Sequence, residues 1–285
     1  MTIDPKELTI PKRHALLQGA IIPRPIAFAS TIDKDGSVNL SPFSFFNMFS
    51  SNPPILIFSP SRRGRDNTTK HSYENVKDVP EVVINIVNYP MVEQASLASC
   101  DFPKGVDEFV KAGFTPLPSI KVKPPRVAES PVSFECKVNQ VIELGSEGAA
   151  GNLVICEVVL VHVKDDVLDE NGNISPYKLD AVARLGGDYY TRVAGDSIFV
   201  VPKPNEKVGI GYDQIPERIR TDSRFTKNDL GRLGNIEKLP DPDSVRLFSL
   251  RPEVQYAIMS GEIHDLALKL LRGGNIADAW KALLI

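Results

Sequence analysis

The groups best able to hold an anion lie in one stretch, Ser61 to Lys77, which reads SRRGRDNTTKHSYENVK. It carries five cations, Arg62, Arg63, Arg65, Lys70 and Lys77, against two acids, Asp66 and Glu74. The hydroxyls of Thr68, Thr69 and Ser72 lie among them. The stretch follows an apolar run and leads into a segment with helical character. Cations, hydroxyl donors and the free N–H groups of a helix start together bind a phosphate monoester. The same composition also makes a solvated surface loop, and composition alone leaves both readings open. A second stretch, Asn39 to Asn47 (NLSPFSFFN), alternates small polar residues with aromatics. It can offer backbone donors and acceptors to a planar heteroaromatic ring, with Phe45 or Phe46 as an apolar wall. Equally, it can be a bend whose phenylalanines are core. A third, Arg184 to Tyr190 (RLGGDYY), joins a cation, two glycines that permit close backbone approach and two tyrosines. It also reads as a turn before an edge strand.

Other chemistries lack local support. There is no GxxxxGK[ST] loop and no GxGxxG after a strand. Gly209-Ile210-Gly211 is only a fragment of the latter. CxxC, HExxH and GxSxG are missing, and His14, His71, His162 and His264 are too scattered to suggest a metal site. No catalytic acid or base can be named. Cys136 and Cys156 fall inside apparent strands and read as inert core, and Cys100 ends a helical segment.

The elements that must position these stretches are mostly strands. Arg24 to Ile32 is an extended segment closed by the turn Asp33-Lys34-Asp35-Gly36, whose Asp-Gly step suits a hairpin. The chain returns through Ser37 to Ser41. Pro54 to Ser59 is a continuous apolar run and Glu81 to Asn88 is rich in β-branched residues. Val132 to Leu144 and Asn152 to Val163 read as a long hairpin around a flexible glycine-rich loop, residues 145 to 151. Thr68 to Val79 and Pro90 to Cys100 read as short helices. Strands adjacent in sequence with few helices between them favour an antiparallel barrel over a doubly wound sheet. The character changes near Ala194. From about Tyr212 onward, Leu266 and Leu270, then Ile276, Trp280, Leu283 and Leu284, recur at helical spacing, with Gly273-Gly274 between the two groups. The expected organisation is a barrel domain over 1–195 and a helical extension over 196–285, packed on the barrel or on a partner subunit.

The whole chain sets few further bounds. It has 285 residues, 42% hydrophobic and 24% charged, with a net charge of −3. That balance gives no pull toward nucleic acid or an anionic membrane. No run is apolar enough to span a bilayer, and the N-terminus lacks signal-peptide character. Three widely spaced cysteines argue against a disulfide framework. The expected location is the reducing cytoplasm.

Several of these segments, in order and spacing, resemble the flavin reductase-like family with the FMN-binding split barrel, including its flavoredoxin branch. The resemblance runs from about Leu17 to Ala194. It rests on IPRPIAFASTIDKDGSVNLSPFSFFNMFSSNPPILIFSP (Ile22 to Pro60), on Lys70 to Val76, and on VHVKDDVLDENGNI and ARLGGDYY between Val161 and Tyr190. It implies a mainly β fold with helices: a six-stranded split β-barrel that dimerises, with FMN near the subunit interface and a helical C-terminal extension. Ser41, Ser44, Phe45 and Asn47 would then lie along the isoalloxazine ring, with Ser30 and Thr31 nearby. Ser59, Arg62, Thr69, Lys70 and Ser72 would hold the phosphate end, with FAD as the alternative cofactor. The implied activity is NAD(P)H-dependent reduction of flavin, for an acceptor such as a monooxygenase or ferric iron. A flavoredoxin-like electron carrier and a non-enzymatic flavin-binding module are the competing readings. The chain departs from many relatives at Lys70-His71-Ser72, where they read Lys-Asp-Thr. It also has Gly151 and Asn152 where some flavin reductases carry a histidine.

Overall fold

The computed structural model describes every residue except Lys203, Asn205 and Glu206. The chain divides into two units, Met1–Phe199 and Val200–Ile285. The sequence places that boundary at 195.

The first unit is built on β1 (Ala27–Ile32), β2 (Val38–Phe43), β3 (Phe46–Ser51), β4 (Pro54–Phe58), β5 (Glu81–Ile86), the short pair β6 (Pro116–Leu117) and β7 (Arg126–Val127), the long hairpin β8 (Val132–Glu143) and β9 (Asn152–Val163), and the pair β10 (Val182–Arg184) and β11 (Tyr190–Arg192). One antiparallel sheet runs β2-β1-β5-β8-β9-β4-β3. It has seven strands where six are expected. The additional strand is β3, of which only Phe46 and Asn47 fall in the stretch that reads as a possible bend.

The sheet is forced to curl. Its two edges, β2 and β3, are consecutive in the chain and joined through Ser44 and Phe45 alone. Phe43 and Phe46 are three Cα steps apart, at most about 11 Å. The edges therefore meet at that joint, and the sheet closes into a barrel with its seam at Ser44-Phe45. Strand alternation then sorts the side chains. Ala27, Ala29, Leu56, Phe58, Val82, Ile84, Cys136, Val154 and Cys156 share one apolar cluster. Phe28 and Leu40, on the opposite face, pack with Ala95, Ala98, Phe109 and Phe114. Cys136 and Cys156 are fully buried, and their mutual hydrogen bonding together with burial pushes the Cys136 thiol up.

Five helices border the barrel strands: α1 (Ile10–Ala20), α2 (His71–Asp78), α3 (Val92–Leu97), α4 (Glu108–Ala112) and α5 (Pro176–Leu179). Helix α1 has no buried residue. Its C-terminal end is held by Arg24, whose guanidinium donates to the Gln18 and Ile21 carbonyls at 2.6 Å each and to Leu185 O at 2.7 Å. The first two are carbonyls that a helix leaves unsatisfied at its end.

The second unit holds α6 (Glu217–Arg220), α7 (Lys227–Gly234), α8 (Pro242–Ser249), α9 (Pro252–Met259), α10 (Ile263–Arg272) and α11 (Ile276–Leu284). The apolar stripes of α10 and α11 meet one another. Leu268, Leu271, Trp280 and Leu283 are buried in a common core with Ile219, Leu230, Leu233 and Phe248, and Leu266, Leu270 and Ile276 pack against it. Trp280 is fully buried, and its indole N–H donates to Leu233 O at 2.9 Å.

Candidate flavin site

The seam loop, the segment after β4 and the start of α2 converge on one groove of about 480 Å³. Ser41 to Phe45 supply one wall. Ser59, Ser61, Arg62, Arg63, Gly64 and Arg65 follow from the end of β4, and Lys70 stands immediately before α2. His14 and Gln18 of α1, and Ser99 and Asp101 beyond α3, complete the lining.

Burial and hydrogen bonding sort these groups by what they can still do. Arg62 is engaged with Asn67, through Nε to Oδ1 and Nη2 to the carbonyl, each at 2.7 Å. Arg63 pairs with Asp101 at 2.6 Å and also donates to the Thr69 carbonyl, while Arg65 pairs with the other Asp101 oxygen. The Arg63 hydrogen bond holds the Asp101 carboxyl below its usual range. Asp66 is held at about 2, chiefly by hydrogen bonds from the Thr68 hydroxyl and N–H. Lys70 has no ion-pair partner among the described residues. Burial, and then the neighbouring Arg63 charge, lower its pKa. Removal from water disfavours the ammonium, so Lys70 gains from an incoming anion. Ser59 Oγ accepts from the Asn152 N–H at 3.1 Å, which leaves its own proton to donate. Ser61 Oγ is buried with no hydrogen-bond partner. Helix α2 adds the partial positive charge of its N-terminus.

The loop between β8 and β9 is tied to this segment rather than free. Arg62 N–H donates to Ala150 O at 2.8 Å, Ala149 N–H to Arg62 O at 3.1 Å, and Asn152 Nδ2 to Pro60 O at 2.9 Å. Two glycines permit the approach. A Cβ on Gly148 would stand 3.2 Å from Gly64 O, and one on Gly151 only 3.0 Å from Ser59 Oγ.

Six expected residues, Ser41, Ser44, Phe45, Ser59, Arg62 and Lys70, are brought together in the groove. Five are placed elsewhere. Ser30 and Thr31 are fully buried. Thr31 accepts from Asn75 at 3.1 Å, and Ser30 Oγ is left without a partner. Ser72 is buried and accepts from Asn39 at 2.9 Å. Thr69 donates to Glu74 at 2.7 Å. Asn47 is exposed on β3 and accepts from the Met48 N–H at 2.8 Å. Ser61, His14, Gln18 and Asp101 were not anticipated. Ser61 lies inside the cationic stretch and was legible there, whereas nothing local marks the other three.

An unpartnered buried hydroxyl, a free serine proton and a desolvated lysine beside an aromatic wall suit a ligand with a phosphate at one end and a planar ring at the other. The Flavin reductase like domain model matches residues 19–185. The chain belongs to the flavin reductase-like family. Among family relatives it is 42% identical over 183 residues to an uncharacterised protein of Aquifex aeolicus, covering 64% of this chain and 91% of that one. In the crystal structure of nitrilotriacetate monooxygenase component B from Bacillus cereus, the likeness has TM-score 0.65 and 30% identity, and covers 70% of this chain and 98% of that one. A Shewanella frigidimarina protein assigned as a flavin reductase with split barrel domain gives TM-score 0.60 and 27% identity, over 71% and 99% of the two chains. The architecture is the split barrel, with helices C-terminal to it. The family match stops before Val200–Ile285.

Proposed function

We propose that this family member binds FMN in the groove described above and acts as an NAD(P)H-dependent flavin reductase. The reduced flavin, or its electrons, would pass to an acceptor such as a monooxygenase. The observation that carries the reading is the set of unengaged donors, Ser59, Ser61 and Lys70, in one groove walled by Ser41 to Phe45. FMN would supply the two-electron chemistry when bound, and the protein supplies binding, orientation and electrostatics. Lys70 and the serine hydroxyls would hold the phosphate. Phe45, at the seam, would give the ring its apolar contact. The cations and hydroxyls of this segment suit a terminal phosphate, which favours FMN over FAD.

A homodimer is part of the proposal. Ile10, Leu16 and Leu17 of α1, Ile21 just beyond it, and Met48 and Phe49 of the edge strand β3, are large apolar side chains exposed on one unit. Such surface supports burial against a second copy. The location proposed is cytoplasmic. Among the described residues no helix is long and apolar enough to cross a membrane.

The test is the visible spectrum of the purified protein, with the released chromophore identified, repeated after anaerobic NADH addition. A flavin spectrum with FMN released, bleached by NADH, is expected. FMN without bleaching points to a flavoredoxin-like carrier reduced by another protein. A colourless protein that takes up no added FMN overturns the reading.

A further inference from the structure

A second cavity, of about 220 Å³, adjoins the flavin groove and shares Pro42, Ser44 and Ser99 with it. Its walls are apolar at Ile26, Val92 and Ala95, and Arg184 and Tyr190 stand at one side. The Arg184 guanidinium is held in place: Nη1 donates to the Tyr190 hydroxyl at 2.9 Å and Nη2 to Gly187 O at 2.8 Å. It also lies over the Tyr190 ring, 4.7 Å from the centroid. Two of the five N–H donors of an arginine are thus engaged, and the others remain available. Among the described residues no carboxylate pairs with it.

A second arginine makes the charge imbalance sharper. Arg24 and Arg184 oppose each other in an antiparallel bridge, with N–H to O distances of 2.9 and 2.8 Å. Directly opposed residues carry their Cβ atoms about 5 Å apart, and like charges there are destabilising. Arg24 is 5% exposed, bonds only to carbonyls, and has a buried Nε with no partner. Burial and then the Arg184 charge lower its pKa. An anion at the mouth of the cavity offsets the repulsion.

We propose that this cavity binds a small ring-bearing carboxylate as the second ligand of the flavin groove. The planar guanidinium fork matches a carboxylate, and the apolar walls take a ring. Size favours a small anion. The volume lies below the roughly 300–1,000 Å³ of typical cofactor pockets, so the cavity by itself does not enclose a whole dinucleotide. The acid's place beside a flavin rests on the function proposed above, but its binding does not.

The experiment is calorimetric titration of FMN-loaded protein with benzoate and with benzamide, its neutral counterpart. Benzoate is expected to bind at least about tenfold tighter, as the loss of a charge-assisted pair implies. Arg184→Gln removes that preference while FMN affinity is retained. Ser96→Leu, from an exposed α3 position on the cavity wall, weakens both ligands and serves if the arginine variant does not fold. Equal affinities for benzoate and benzamide, an unchanged preference in Arg184→Gln, or undiminished binding in Ser96→Leu overturns the proposal. The two readings fail separately. A protein that refuses FMN yet binds benzoate through Arg184 keeps this site and loses the flavin, and an FMN-loaded protein indifferent to benzoate does the reverse.

Discussion

Of the cations between Ser61 and Lys77, those nearest the groove are unequal once their partners are known. Arg63 and Arg65 share Asp101, which lies more than thirty residues further along the chain, and Arg62 is engaged with Asn67. Lys70 alone among the cations lining the groove has neither an acidic partner nor a side-chain hydrogen bond among the described residues. Composition shows a cationic stretch; it does not show which charge is already answered, because Asp101 arrives through tertiary folding. Lys70→Ala is therefore expected to weaken FMN binding by about 1.5–3 kcal/mol, roughly ten- to more than a hundredfold in Kd, the usual range for a hydrogen bond to a charged group. Riboflavin, which lacks the phosphate, should bind the variant and the parent alike. Flavin fluorescence titration reads both. Equal losses for FMN and riboflavin would place Lys70 against the ring instead of the phosphate.

Among the elements, strands with strong alternation or dense β-branching were legible: β1, β4, β5, β8 and β9 lie within two or three residues of their expected limits. Several others were not, among them two that bear on the groove. Strand β3 is a half-exposed edge whose Met48 and Phe49 face outward, so its pattern carries no buried stripe. Helix α1 buries none of its residues, so no apolar periodicity announces it, though it brings His14 and Gln18 to the groove. The β8–β9 loop reads as flexible because of its glycines. Two of them instead make room for the backbone and the serine of the phosphate segment. Gly151→Ala puts a methyl 3.0 Å from Ser59 Oγ and must displace that hydroxyl. The expected result is several-fold weaker FMN binding at a nearly unchanged melting temperature, since the loop is at the rim of the barrel and not in its core. Gly145→Ala, where the added Cβ meets only Ala150 Cβ at 3.4 Å, is the control that should bind normally. Comparable losses in both variants would mean that loop mobility, not Ser59 placement, governs binding.

Across the whole chain, the apolar clusters respect the division near 200. The two barrel clusters draw on residues up to Val182, and the helical core begins at Ile215. The helical character of the tail was legible from its stripes. Their mutual packing was not, because periodicity marks a buried face without naming what buries it. The single tryptophan of the chain, Trp280, lies in the middle of the helical core, so its fluorescence reports on that unit. The same unit holds a charged cluster in which Asp222 receives Arg224 at 2.6 Å and His264 at 2.6 Å. The Arg224 hydrogen bonds hold its carboxyl well below the usual range against the opposing effect of burial, and His264 adds to them. A carboxyl depressed in the folded state contributes stability above its unfolded pKa, about 3.9, and that contribution is lost as the pH falls through the folded value. Asp229, against Arg272, and Asp278, against Lys281, are depressed as well and act in the same direction. The Trp280 thermal midpoint should accordingly hold steady from pH 7 to about 5 and fall steeply below about 4. Asp222→Asn should lower the midpoint at pH 7 and make the acid slope shallower without abolishing it, because the other two carboxyls remain. A slope identical to the parent's would show that Asp222 makes no net contribution in the folded unit, and that its arginine and histidine find water as good a partner.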